Sequence, residues 1–274
     1  MIKVAMMSYT LARGVPAGED FDVVGLCRLA QELNVDGVDW VTTYGQDPAE
    51  VARITADHGL KTVCYTFFCD LTHSTVEGRA PGREQFRREL QTAVALGVDK
   101  IMLPCAGKED LRREESFSYT MAGLAEVLPL AQEVGITVTV EHFPAAIAPF
   151  INSRDMARAV GELPDLRVTF DSGNPVTAGE SAEAAYRANA PWVVHAHFKD
   201  WKRAAEGMCG LDGNCRVGEL VGDGEVDNVA ATKAMRELGY DGYVDFEYEG
   251  TDMSPETACR RGIPRMQEWF AGRF

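Results

Sequence analysis

The sequence predicts an α/β fold of one kind: a single (β/α)8 barrel spanning residues 1–274. Three observations predict it. Short β-branched runs alternate with longer amphipathic runs, and eight such pairs account for the chain. The join between them repeats. Leu33-Asn34-Val35-Asp36-Gly37, Leu96-Gly97-Val98-Asp99, Leu238-Gly239-Tyr240-Asp241 and, more loosely, Val134-Gly135-Ile136 each close a helix on Gly or Asn and enter a strand. The length, 274 residues, also suits such a barrel, which typically takes about 250. A doubly wound open sheet is the alternative. A nucleotide-binding version would carry a Gly-rich turn after its first strand, where this chain has Met7-Ser8-Tyr9-Thr10-Leu11.

The elements follow in order. A first strand is expected at 3–9, then a helix at 20–34 and a strand at 37–41. The next helix, 47–58, opens on Asp47-Pro48, an N-cap followed by proline in the first turn. Strand 61–68, helix 83–96, strand 100–105, helix 115–134 and strand 137–143 continue the alternation. Ser153-Arg154-Asp155 starts a helix at 153–162, and strand 167–172 follows. Ser181-Ala182-Glu183 starts a helix at 181–189, before strand 193–199. Residues 201–226 are glycine-rich and read as a long irregular loop, of the kind that is usually functional or mobile. Within it, Gly222-x-Gly224 suits a tight turn into the next helix and is also a spacing that can cradle phosphate. Helix 227–238, strand 243–248 and helix 255–270, opened by Ser254-Pro255, complete the eight units.

Composition narrows the function classes. Acidic residues outnumber basic ones, 42 to 27, for a net charge of −15. Such a surface disfavours nucleic acid and anionic membranes as partners. No apolar run approaches a membrane span, and Met1–Thr10 reads as a strand rather than a leader. The seven cysteines form no CxxC pair, and a reduced, cytoplasmic setting is expected. Cys64, Cys69 and Cys105 read as small fillers. Cys209 and Cys215 are close enough in sequence to form a redox-sensitive pair.

Four late strands break the rule that barrel strands are apolar. They read Val140-Glu141-His142, Phe170-Asp171-Ser172-Gly173-Asn174, His195-Ala196-His197-Phe198-Lys199-Asp200 and Phe246-Glu247-Tyr248-Glu249. In a barrel, strand C-termini surround the active-site mouth, so Glu141, Asp171, His197 and Glu247 should converge there. Three converging carboxylates repel one another unless a cation or protons compensate. With an imidazole they form an O,O,O,N donor set suited to Mn²⁺, Mg²⁺, Co²⁺ or Zn²⁺. Any one of them alone reads as a rim residue or an ion pair; four at successive strand ends point to a shared ion. His195, one layer deeper than His197, reads as a hydrogen-bonded core histidine.

In these motifs, and in Gly222-Asp223-Gly224-Glu225, the chain resembles the xylose isomerase-like TIM-barrel superfamily. That superfamily includes ketose 3-epimerases, hydroxypyruvate isomerase, inosose dehydratase and endonuclease IV. The resemblance implies one divalent ion, usually Mn²⁺, held by Glu141, Asp171, His197 and Glu247. It also implies that Glu141 and Glu247 are the acid/base pair that moves a proton next to the carbonyl of a small sugar or polyol substrate. Arg203, six residues after His197, stands where epimerases have a substrate-contacting arginine. Asn174 stands where many relatives have a histidine. Lys199, His142 and His73 complete the expected substrate-binding set, although His142, directly after Glu141, can also face out of the barrel. Relatives are often dimers or tetramers, so a homo-oligomer is expected. An inosose-dehydratase-like lyase and a non-catalytic sugar-binding protein are the rival readings. Ile147 replaces a glutamate found in ketose 3-epimerases, and too few histidines are present for the endonuclease's metals.

Overall fold

Eight parallel strands close into a barrel in the order β1-β11-β7-β6-β5-β4-β3-β2. The structure is a computed structural model, and it describes all of residues 1–274. The elements run β1 (Lys3–Met7), α1 (Ser8–Ala12), α2 (Val23–Glu32), β2 (Gly37–Val41), α3 (Pro48–Asp57), β3 (Lys61–Thr66) and α4 (Val76–Leu96). They continue with β4 (Lys100–Leu103), α5 (Arg113–Glu133), β5 (Thr137–Glu141), α6 (Ser153–Glu162), β6 (Arg167–Asp171), α7 (Ala182–Asn189) and β7 (Val193–Phe198). The remainder is β8 (Asp200–Ala204), β9 (Met208–Cys209), β10 (Cys215–Glu219), α8 (Asn228–Glu237), β11 (Tyr243–Phe246) and α9 (Pro255–Phe270). The expected eight units are therefore present, and β11 is the eighth barrel strand. No helix is long and apolar enough to cross a membrane.

Capping explains several helix starts. Asp47 accepts from the Ala49 and Glu50 amides, and Ser254 accepts from Thr257, each just before a proline. Helix α4 begins at Val76, not near residue 83. Thr75 caps it by accepting from Gly78, and Pro81 is carried inside the helix. Gly82 lets α4 pack directly on the loop after β3, because a Cβ there would overlap the Asp70 carbonyl. The first strand ends at Met7 rather than residue 9. There Ser8 opens the short helix α1, its Oγ accepting from the Val41 amide at 2.8 Å.

The expected loop at 201–226 instead holds a three-stranded antiparallel sheet in the order β8-β10-β9. Gly207 and Gly213, at φ 129 and 77, make its turns in conformations that side chains rarely adopt. Cys209 and Cys215 face one another across it and form a disulfide. Arg216, buried, pairs with Asp212 at 2.6 Å and with Glu225.

Two kinds of packing hold the barrel. The large core lies between the strands and the helices, with Trp40, Phe86, Phe170 and Phe246 fully enclosed. A small separate cluster of Ala5, Met7, Val41, Cys64 and Met102 comes from β1–β4. Opposite it, β5, β6, β7 and β11 contribute Thr139, Thr169, His195 and Asp245. Thr139 and Thr169 share a hydroxyl contact of 2.7 Å. The side formed by β5, β6, β7 and β11 is thus the more polar one, and it carries the strand ends that matter below.

Candidate functional site

Strands β5, β6, β7 and β11 are consecutive in the barrel, so their C-terminal residues stand side by side. Glu141 ends β5, Asp171 ends β6, His197 lies on β7, and Glu247 directly follows β11. Asp171 and Asp245 each register with His197 across their strand pairs. Inward positions recur every two residues. The pairs His195/His197 and Asp245/Glu247 therefore form a lower and an upper layer.

In the upper layer, Glu141 Oε2 lies 3.2 Å and Glu247 Oε2 3.8 Å from His197 Nδ1. Glu141, Asp171 and His197 each offer a ligand atom within 4.8 Å of the others. Asp171 Oδ1 accepts from the Gly173 and Asn174 amides at 2.8 and 2.6 Å. Asp171 Oδ2 and Glu247 Oε2 are buried and accept no hydrogen bond. Buried carboxylate oxygens without donors are rare and call for an ion or a substrate. Glu141, Asp171 and His197 could therefore hold a metal ion on the Nδ1 side of His197, with Glu247 Oε2 close by.

Lys199 shares this layer. Its Nζ donates to Glu247 Oε1 at 3.0 Å and lies 3.5 Å from Asp171 Oδ2 and 3.7 Å from Glu249 Oε2. Burial works to lower its pKa, but Asp171, Glu247 and Glu249 outweigh burial and hold it well above the usual lysine range. Burial pushes the Asp171 carboxyl up to about 7; Lys199 opposes the shift, while Glu247 and Glu141 add to it.

The lower layer holds His195, expected as a hydrogen-bonded core histidine, together with Asp39 and Asp245, which the sequence did not single out. His195 Nε2 donates to Asp245 Oδ2 at 2.8 Å. Asp39, on β2, places Oδ2 3.5 Å from both His195 Nε2 and His197 Nε2, and accepts from Thr66 Oγ1 at 3.1 Å. Asp39, His195, His197 and Asp245 are all completely buried. Burial alone would raise the Asp39 pKa, but the two imidazoles reverse this and hold it below the usual range. His197 thus bridges the layers, with Nδ1 toward the mouth and Nε2 toward Asp39. The available signal was a charged residue inside the apolar run Val38-Asp39-Trp40-Val41, and an Asp alternating with Glu247.

A cavity of about 280 Å³ opens above the upper layer. Glu141, Asn174, Lys199, Glu247 and Glu249 line one side, and Tyr9, Phe68, Met102, Phe143 and Met208 are among its other lining residues. Asn174 Nδ2 donates to the His142 carbonyl at 2.7 Å, leaving Oδ1 without a donor. Glu249 was not singled out from the sequence, because it lies past the strand in a turn.

Three expected substrate-binding residues stand elsewhere. Arg203 is two-thirds exposed on β8 and pairs with Glu225 at 3.1 Å. His73 lies with Asp70, at 2.9 Å, and Lys108, at 3.0 Å, outside this cavity's lining. His142 points away from the lumen, because it alternates with Glu141 on β5. Its ring packs edge-on to Phe170, and its Nε2 lies 3.5 Å from Asn189 of α7.

Burial pushes the His142 imidazole down from its ordinary 6.5 to about 3. Its neutral form therefore contributes stability that is present above pH 6.5 and is lost as pH falls toward that folded value. Two pH units below 6.5 cost about 3 kcal/mol through this group. Urea unfolding at both ends of that window should show His142→Phe losing less stability than the wild-type protein. Equal losses would remove the assignment.

The fold and this donor set define a closed eight-stranded barrel with a candidate metal site, and known proteins share that fold. The family model described as a xylose isomerase-like TIM barrel matches residues 27–269. The chain belongs to the xylose isomerase-like TIM barrel family. A 2-epi-5-epi-valiolone 7-phosphate 2-epimerase from Actinoplanes sp. is 30% identical over 114 residues, covering 41% of this chain and 40% of that protein. The chain thus matches well under half the length of this curated relative. Among solved structures, IolI with a bound zinc atom superposes with a TM-score of 0.80 at 15% identity, covering 99% of each chain. The 3-keto-D-glucoside 4-epimerase YcjR from E. coli gives 0.75 at 17%, covering 97% of this chain and 99% of its own. The probable 3-DHS dehydratase AsbF from Bacillus anthracis gives 0.76 at 15%, covering 97% and 98%. At these identities the likeness is one of fold.

Proposed function

We propose that this protein is a divalent-metal-dependent sugar isomerase or epimerase acting on a small polyhydroxy carbonyl compound. The observation that carries this is the pair Glu141 and Glu247. They come from the outer strands of the arc β5-β6-β7-β11, with Asp171 and His197 between them. Both line the cavity, each with an oxygen facing His197 Nδ1.

Glu141, Asp171, His197 and Glu247 would hold the metal. Their hard oxygen and imidazole donors suit Mn²⁺ best, with Mg²⁺, Co²⁺ and Zn²⁺ also accommodated. When bound, such an ion polarises a carbonyl and its neighbouring hydroxyl, making the adjacent C–H more acidic. One glutamate removes that proton, and the other delivers a proton to the neighbouring carbon or the opposite face. Lys199 orients Glu247 by donating to Oε1. Asn174 Oδ1 is free to accept from a substrate hydroxyl. The apolar wall limits water around the reacting carbon.

Lys199 also favours a second reading. A buried ammonium beside Glu247 is placed to assist departure of a hydroxyl after proton removal, as a dehydratase requires. The two reactions separate in one experiment. Mn²⁺-loaded protein is incubated in D₂O with a panel of ketoses and aldoses, and products are followed by NMR and mass spectrometry. Isomerisation or epimerisation places deuterium beside the carbonyl and conserves the carbon skeleton and water content. A lyase loses one water. No C–H exchange across the panel would overturn the proposed chemistry.

A further inference from the structure

We propose that the substrate is an uncharged polyhydroxy carbonyl compound and that the site is built to reject its phosphate esters. The inference rests on the proton-transfer reading above and adds the charge class of the substrate. The first observation is the charge of the cavity. Four carboxylates, Glu141, Asp171, Glu247 and Glu249, face one ammonium, Lys199, which already contacts three of them. A bound divalent ion still leaves a formal negative charge. Three of these carboxylates, with His197, are needed for the metal and the proton transfer. Glu249 is surplus to that chemistry, and it lines the cavity.

The second observation is independent. Barrels that bind phosphate commonly use the loops after their seventh and eighth strands, where backbone amides point at the anion. Here the loop after β7 holds the Gly222-x-Gly224 turn, but its amides are already taken. Asp200, 1% exposed, accepts from Gly222 at 2.8 Å, Gly224 at 3.2 Å and Val226 at 2.9 Å. A carboxylate of the chain itself fills the anion's place. After β11 the loop carries Glu249 and Asp252, and Ser254 caps α9 internally.

Nearby lysines are paired elsewhere. Lys202 pairs with Glu219 at 2.9 Å and with Asp252, and Lys108 pairs with Asp70 at 2.8 Å. Arg13 donates to the Tyr248 carbonyl at 3.1 Å and stands over the Tyr9 ring, outside the cavity lining. No arginine lines the cavity. A phosphate dianion would meet like charge there, which disfavours its binding.

The test uses Mn²⁺-loaded protein in D₂O with free ketoses, each matched with its own terminal phosphate ester. Exchange should be at least about 100-fold more efficient, as kcat/KM, for the free sugar. Glu249→Gln should narrow that gap about tenfold by raising turnover of the ester. Equal or faster exchange with the esters overturns the inference and leaves the proton-transfer reading standing. Exchange with neither member of any pair overturns both. A gap unchanged in Glu249→Gln removes Glu249 as its determinant.

Discussion

Glu247→Gln should abolish substrate C–H exchange while the barrel stays folded. Glutamine preserves the shape of the side chain and can still meet Lys199 through its carbonyl oxygen. It removes the charge that attracts a cation and the base that accepts a proton. Glu247 Oε2 is buried and receives no hydrogen bond, so no internal partner depends on it. Loss of a positioned base alone lowers rates by about 10²–10⁴-fold, and weakened metal binding adds to that. A loss of about 10³-fold or more is expected in the rate of deuterium incorporation, with an unchanged circular dichroism spectrum. Glu141→Gln should behave in the same way. Exchange within about tenfold of wild type would show that neither glutamate moves the proton.

Asp39→Ala should be the most destabilising single change beneath the site. Asp39 is wholly enclosed and faces His195 and His197 together. Its loss leaves two buried imidazoles with Asp245 as their only carboxylate in that layer. Removing one partner from a buried charged set costs about 3–5 kcal/mol, because the remaining groups stay desolvated. His197 Nε2 would also lose one of the two carboxylates near it, at 3.5 and 3.6 Å, and groups that orient a ligating histidine contribute about 10–100-fold in metal affinity. Urea unfolding should report the first effect, and Mn²⁺ titration calorimetry the second. Asp39→Asn, which keeps the shape, should lose less stability than Asp39→Ala. A stability loss under about 1 kcal/mol with unchanged Mn²⁺ affinity would contradict this role.

The fold was legible because β/α alternation leaves a periodic trace, and each helix end carries its own cap chemistry. The misread pieces lacked that trace. Pro81-Gly82 suggests a break, yet α4 runs through it because Gly82 lets the helix lie against the Asp70 carbonyl. The hairpin β8-β10-β9 is held by a cross-strand disulfide and by buried Arg216, contacts that link residues through space rather than by periodicity. At the site, Glu141, Asp171, His197 and Glu247 were readable as polar residues ending apolar strands. Asp39 and Asp245 were not, since a single aspartate inside a strand gives no hint of which histidine it will meet. His142 shows the opposite error. A histidine beside a candidate ligand invites a functional reading, but strand alternation turns it toward Phe170 and Asn189. Arg203 has a suggestive spacing from His197, but the hairpin carries it out to Glu225.

The central claim concerns where the metal sits. Two groups of side chains in this barrel could hold one: the upper set at the mouth, and the buried set Asp39, His195, His197 and Asp245 below it. Crystals grown with Mn²⁺ and measured at an energy where manganese scatters anomalously would decide between them. We predict one strong anomalous peak within about 2.0–2.4 Å of carboxylate oxygens from Glu141, Asp171 and Glu247 and of His197 Nδ1. A peak in the lower layer at His197 Nε2, or no peak within reach of these four side chains, would contradict the account.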